Sequence, residues 1–393
     1  MRLTLCLLRL QHRLVPCAVG LLTHRATSAP HRPGTACARR VRRPAALSGA
    51  VVLIAGLVLA GTVAAAERTT APSATSPVGD KWANISQDVV DKLVKEGKKL
   101  GFGNNTAGVG VDRTTGDVYM IVSDQGLWKS ADKGKTFALL AEAKAGGRAE
   151  TGFALNFNPE GKGIAYFPVY SRGSITVDGR TWKSLGDPGS TDFGAVDWSD
   201  PQARTIFIKQ HHTKGTAYLT ADGGAKWTKL EGDGFAALGV FDAKTLVASR
   251  GEGIVRSTDD GKTWEPVSKL TPTGRVLGVL RGIGYWVSKE GVLVSRDKGK
   301  TWEVLGKPVE AYWGPYFGKG EKHIVVVGPK GFMETKDAGA TWDLAAPLPD
   351  LGKQNPFYGK WNTNGWFLNY AWDPIGNVFY ASVMQSATYR YER

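Results

Sequence analysis

The sequence predicts an all-β fold, a single β-propeller of four-stranded blades, and three observations carry that prediction. A short phrase returns along the chain: SADKGKTF at 130–137, TADGGAKW at 220–227, STDDGKTW at 257–264, SRDKGKTW at 295–302 and TKDAGATW at 335–342. A worn copy, TVDGRTW at 176–182, lacks one residue between its Asp and Trp. The closing aromatics fall at 137, 182, 227, 264, 302 and 342, in steps of 45, 45, 37, 38 and 40, a period that marks propeller blades or solenoid repeats. The composition agrees: 50 Gly and 13 Trp against 4 Met and 3 Cys suit short strands joined by tight turns. Each repeat also divides into four strand-like runs. In the fourth unit these are FAALGVFD (235–242), KTLVASR (244–250), GIVRST (253–258) and, after the phrase, TWEPV.

Taken in order, residues 1–66 form a basic leader. They hold nine arginines and no Asp, Glu or Lys, so removing those nine from the 50 basic residues leaves 41 against 36 acidic ones. Most of the +14 net charge therefore lies in the leader, and a nucleic-acid partner is not expected. An apolar run over 46–64 follows the cluster Arg39, Arg40, Arg42, Arg43, and Ala64-Ala65-Ala66 has the small-residue pattern of a signal-peptidase site. Export, secreted or periplasmic, is the expectation. Membrane attachment follows only if 46–64 stays on the chain as an anchor. All three cysteines (Cys6, Cys17, Cys37) lie in the leader, so residues 67–393 offer no disulfide, thiolate nucleophile or Cys-ligated metal. The same stretch has three histidines, His211, His212 and His323. No metal or other cofactor is expected.

Residues 67–79, ERTTAPSATSPVG, read as a flexible linker, and the propeller spans 80–393. Counting phrases gives six blades, but the ends add a seventh. The stretch 366–392 matches the first three strands of a unit and ends without a fourth, while DKWANIS near residue 81 matches a fourth strand. Strand 81–86 joining the C-terminal blade would close a seven-bladed ring and remove exposed sheet edges, and a monomer is expected. Valines and leucine at 89, 90, 93 and 94 predict a short helix in 86–100 that covers one opening of the ring.

The phrase resembles the Asp-box, or BNR repeat, of sialidases, xyloglucanases, sortilin and the photosystem II assembly-factor propellers, over residues 80–393. Its chemistry is that of a turn: the carboxylate and the Ser/Thr hydroxyl bond the turn's own backbone, the Gly permits positive φ, and the aromatic packs between blades. Asp132, Asp222, Asp259, Asp297 and Asp337 are accordingly expected to be structural.

Function is expected at the opposite end, on the loops joining second to third strands and blade to blade. These supply the carboxylates Asp124, Glu150, Asp192, Glu252 and Glu290, and as ligand-binding residues Arg148, Arg172, His211, Arg250, Arg275, Lys289, Tyr312, Trp313, Lys330 and Trp366. Aromatics beside amides and charges suit a sugar face. His211 and His212, if both lay in a strand, would point to opposite sides and could not converge on one atom.

The sialidase resemblance implies three arginines on the substrate carboxylate, a Tyr–Glu nucleophile pair, an Asp acid/base and an Arg-Ile-Pro-type motif before the first Asp-box. Between residue 67 and Ser130 the only arginines are Arg68 and Arg113, so that activity is disfavoured. Xyloglucanase-like enzymes are implied to use a cleft between two propellers, and this chain holds one. The sequence is thus read as an exported propeller that binds a polysaccharide or another exported protein through one loop face without catalysis. The alternative is a secreted glycoside hydrolase using two rim carboxylates.

Overall fold

The computed structural model describes residues 81–101, 106–350, 368–383 and 386–393. The expected leader, cleavage site, anchor and linker fall outside the described residues, as do the predicted site residue Trp366 and the loop residues at 384–385.

Among the described residues seven four-stranded antiparallel sheets form, one per blade. The fourth blade shows how closely the pattern maps: β14 (Phe235–Asp242), β15 (Thr245–Arg250), β16 (Ile254–Ser257) and β17 (Glu265–Ser268) pair in chain order. The inner two strands are buried almost throughout, and the outermost is exposed or half-buried. Blade 7 is closed as expected. The N-terminal strand β1 (Trp82–Asn84) pairs with the C-terminal β28 (Thr388–Glu392), setting Trp82 opposite Tyr391 and Asn84 opposite Tyr389. Trp82 packs into a cluster with Phe332, Phe379 and Tyr391, so the closing strand is anchored across two blades. Helix α1 (Gln87–Lys95) exists, but it does not cap the ring. Val89, Val90 and Leu93 bury against Met120, Val122 and Trp128 of the first blade, and Val94 is 56% exposed.

In the repeated turns the carboxylate and the hydroxyl bond the turn's own backbone. Ser130 Oγ donates to Asp132 Oδ1 (2.7 Å) and accepts the Gly134 N–H (2.8 Å), while Asp132 takes the Thr136 N–H (2.9 Å) and hydroxyl (2.6 Å). The same four bonds recur around Asp259 and Asp337. The worn copy keeps its carboxylate bonds from Asp178 to the Arg180 and Thr181 N–H groups and to two threonine hydroxyls. Each full turn needs two successive left-handed residues, for example Lys298 (φ 58°) and Gly299 (φ 81°). The short copy has one, Gly179, which accounts for the missing residue. These glycines also meet the preceding blade: a Cβ on Gly224 would lie 2.8 Å from the Leu185 carbonyl, and one on Gly339 2.7 Å from that of Leu305. Trp227 Nε1 donates to that same Leu185 carbonyl (2.7 Å). The phrase is therefore a turn and an inter-blade clasp at once.

Inner strands surround an axial cavity of about 220 Å³ lined by residues such as Val109, Phe157, Val240 and Phe317. On the face carrying the repeated turns, Arg113 reaches over it to the carbonyls of Pro159, Phe317 and Gly318, and Glu160 accepts the Arg281 N–H (3.2 Å). Residues of blades 1, 2, 5 and 6 are thus drawn together at that mouth.

Candidate functional site

On the other face, the connections into blades 2 and 3 converge with the second-to-third-strand loops of those blades. Backbone bonds set the geometry. Arg148 pairs with Val169 in an isolated bridge, Tyr170 N–H donates to Ser190 Oγ (2.9 Å), and His211 N–H donates to the Ser190 carbonyl (2.8 Å). The Thr151 hydroxyl donates to the Asp192 carbonyl (2.7 Å). Asp192 sits where the register of β10 (Thr191–Val196) on β11 (Ile206–Gln210) slips between Thr191 and Phe193. Such a bulge re-aims a side chain, and here the carboxylate meets its own blade's next loop.

There His211 Nδ1 lies 2.5 Å from Asp192 Oδ1, and Lys209 pairs with Asp192 Oδ2. A carboxylate only accepts, so Nδ1 carries the hydrogen. The other ring nitrogen, Nε2, faces Glu150 Oε2 at 3.2 Å, close enough for an ion pair but not in hydrogen-bond geometry, and it is buried without a hydrogen-bond partner. Glu150 Oε1 is held by Arg148 (2.5 Å), whose guanidinium lies 4.7 Å over the Tyr170 ring. Tyr170, 57% exposed, places its hydroxyl 3.2 Å from His212 Nε2.

The histidine pair corrects the expectation from strand alternation. Both residues follow β11, and His212 takes a left-handed conformation (φ 52°), which turns its ring back to 3.7 Å from that of His211. The two do converge.

Of the remaining predicted residues, Arg148, Glu150, Asp192 and His211 meet in this cluster, and the others are spread round the rim. Glu252, Lys289, Glu290 and Lys330 are exposed in the loops of blades 4, 5 and 6. Asp124 is exposed in the loop of blade 1, in a left-handed conformation (φ 59°). Arg172 stands 3.7 Å from Asp187. Arg250 lies over the Phe235 ring and donates to the Asp233 carbonyl (3.0 Å). Arg275 donates to the Ala236 carbonyl (3.1 Å), and desolvation lowers its guanidinium although Asp192 opposes the shift. Tyr312 donates its hydroxyl to Glu310 (2.6 Å), which with burial pushes that phenol up to about 12. Trp313 is 5% exposed and meets Tyr370 edge-on, so it fills the blade core instead of offering a flat face. His212, Lys209 and Tyr170 complete the cluster, and the last two are not marked by the sequence. A lysine inside the otherwise apolar run IFIKQ was the available signal for Lys209.

No protein-family model and no curated protein matches the chain. Among solved structures it is similar to YCF48 bound to a D1 peptide, at 17% identity and a TM-score of 0.42, over 75% of this chain and 94% of that one. YCF48 from Cyanidioschyzon merolae gives 12% identity and a TM-score of 0.42 over 79% and 98%. An ancestral GH74 enzyme gives 16% identity and a TM-score of 0.45, over 74% of this chain and 45% of that one.

Proposed function

We propose that this is an exported propeller that binds a polysaccharide or protein ligand, without catalysis, on the face where blades 1 to 3 meet. The observation that carries the reading is Tyr170: an aromatic ring 57% exposed, backed by Arg148 at 4.7 Å and flanked by His212, on the face away from the repeated turns. An aromatic held open to solvent by a cation beneath it is a ready contact for a sugar ring or a peptide side chain. Exposed Arg172, Lys289 and Lys330 stand on the rim among exposed Asp124, Glu252 and Glu290, a mixed set of charges that suits a polar ligand. Export is supported by the leader's basic cluster, apolar run and Ala64-Ala65-Ala66.

The hydrolase alternative needs two carboxylates facing one glycosidic bond. Glu150 and Asp192 are the best-placed pair, yet they sit on opposite nitrogens of one imidazole, and Asp192 is buried under Lys209. That arrangement argues for a fixed scaffold of charge. The test is binding of purified protein to immobilised glycan and peptide arrays, followed by reducing-end release from the glycans retained. Retention that Tyr170→Ala weakens at least tenfold, with no release, is expected. Release of reducing ends that Glu150→Gln abolishes would replace this reading with the hydrolase.

A further inference from the structure

The pairing at His211 poses a chemical problem that the protein's own groups leave open. Its Nδ1–H is spent on Asp192, so in the neutral ring Nε2 presents a lone pair. What that lone pair faces is a carboxylate oxygen of Glu150, also a lone-pair donor, at 3.2 Å. The His211 side chain is 7% exposed, so water does not relieve the confrontation. Two such groups held together need a positive charge between them. Arg148 does not supply it, because it bonds Glu150 through Oε1, on the other oxygen.

His212 brings a third donor to the same place. One ligand atom each from Glu150, His211 and His212 can be chosen so that all lie within 4.8 Å of one another. The closest spacing is compatible with this: bonds of about 2.0–2.2 Å from a tetrahedral ion to N and O ligands put those ligands about 3.3–3.6 Å apart. The supporting shell is that of a metal centre too. A ligating histidine commonly donates its other N–H to a carboxylate, which fixes the tautomer and raises ligand basicity, and Asp192 does this while Lys209 holds it in place.

We propose that Glu150, His211 and His212 bind one divalent transition-metal ion of the zinc class. Two imidazoles and one carboxylate suit such an ion far better than calcium or magnesium, which take oxygen ligands. Three protein ligands leave a coordination position open toward solvent on the side of exposed His212 and Tyr170, where a ligand's carboxylate or hydroxyl would complete the shell. Asp192 and Arg148 are positioning residues, acting through His211 and Glu150. The site goes beyond the ligand-binding reading and stands or falls separately from it, since the ion alone is the probe.

The experiment is titration of purified, chelator-stripped protein with Co²⁺, read by the visible absorption of low-symmetry cobalt, then displacement by Zn²⁺ and a thermal shift with Zn²⁺. One equivalent is expected, with zinc displacing cobalt and raising the melting temperature. His212→Ala, an exposed position where folding is not at stake, should weaken binding about a hundredfold and remove the thermal shift. Asp192→Asn should cost about 10–100-fold by weakening the bond that orients the His211 ring. His323→Ala, at the histidine that bonds Glu334 elsewhere, should change nothing. No cobalt spectrum, or binding that His212→Ala and Glu150→Gln leave intact, would overturn the site. So would ¹⁵N shifts showing His211 doubly protonated and indifferent to zinc, because a proton would then be the missing charge.

Discussion

At the scale of single residues, each full repeated turn is closed by a hydroxyl, a carboxylate and a glycine at two-residue spacing. A carboxylate spaced two residues from a hydroxyl and two from a glycine has few uses other than closing a turn, so Asp132, Asp222, Asp259, Asp297 and Asp337 could be assigned without coordinates. What the spacing did not disclose is the residue before the glycine, which is also left-handed and in four turns is not glycine. At one such exposed position, Lys133→Gly should therefore be neutral to stabilising, by up to about 1 kcal/mol. Gly339→Ala should cost about 2 kcal/mol, combining its φ of 84° with the Leu305 carbonyl at 2.7 Å. Thermal melts would read that loss as roughly 4 °C in a domain of this size. The aspartates also set the acid limit of the fold. The Thr263 hydroxyl and N–H hold the Asp259 carboxyl down to about 2, Thr341 does the same for Asp337, and Thr136 holds Asp132 below the usual range. A carboxyl depressed on folding stabilises the folded chain above its unfolded value of about 3.9 and loses that contribution as pH falls through its folded value. The melting temperature should thus be level from pH 7 to about 5 and fall steeply between about pH 4 and 2. A decline already under way at pH 6 would mean that groups other than these aspartates govern.

The elements were legible where alternation and turn residues were strong. The four strands of blade 4 match their sequence ranges within about two residues, and three strands lie inside the C-terminal stretch 366–392. Two readings failed for reasons of packing. Valine and leucine at helical spacing in α1 correctly signalled a helix, but periodicity reports that a face is buried and not what it is buried against. Trp313 followed the same logic: an aromatic beside loops looked like rim, and a strand starting there carried it into the core. The histidine pair failed through the assumption of strand geometry one residue beyond where β11 ends. The closing strand gives the sharpest test at this scale. Trp82→Ala should cost about 3–5 kcal/mol, because the ring joins Phe332 and Tyr391 in a fully formed core. Removal of residues 81–86 should leave β28 unpaired along its outer edge and give aggregation on size-exclusion chromatography.

For the whole molecule, seven blades followed from six phrases because the ends of the chain, taken together, spelled the missing unit. The site was less legible. Its members come from the connections and loops of three blades, so no local motif marks it, and the sequence points to Arg148, Glu150, Asp192 and the histidine pair but not to Tyr170 or Lys209. A ring whose blades clasp one another should unfold as one unit. Calorimetry of the intact protein should show a single transition, and a broad or split one without residues 81–86.

The strand that completes blade 7 is the first of the propeller to be synthesised, and its partner is the last. Trp82 must wait for Tyr391, so no partial product of translation can hold the finished ring, however many blades it already contains. The closure doubles as a check on the ring: only a chain that reaches Glu392 covers the outer edge of its seventh blade. A chain that stops before Thr388 leaves β1 without its partner strand.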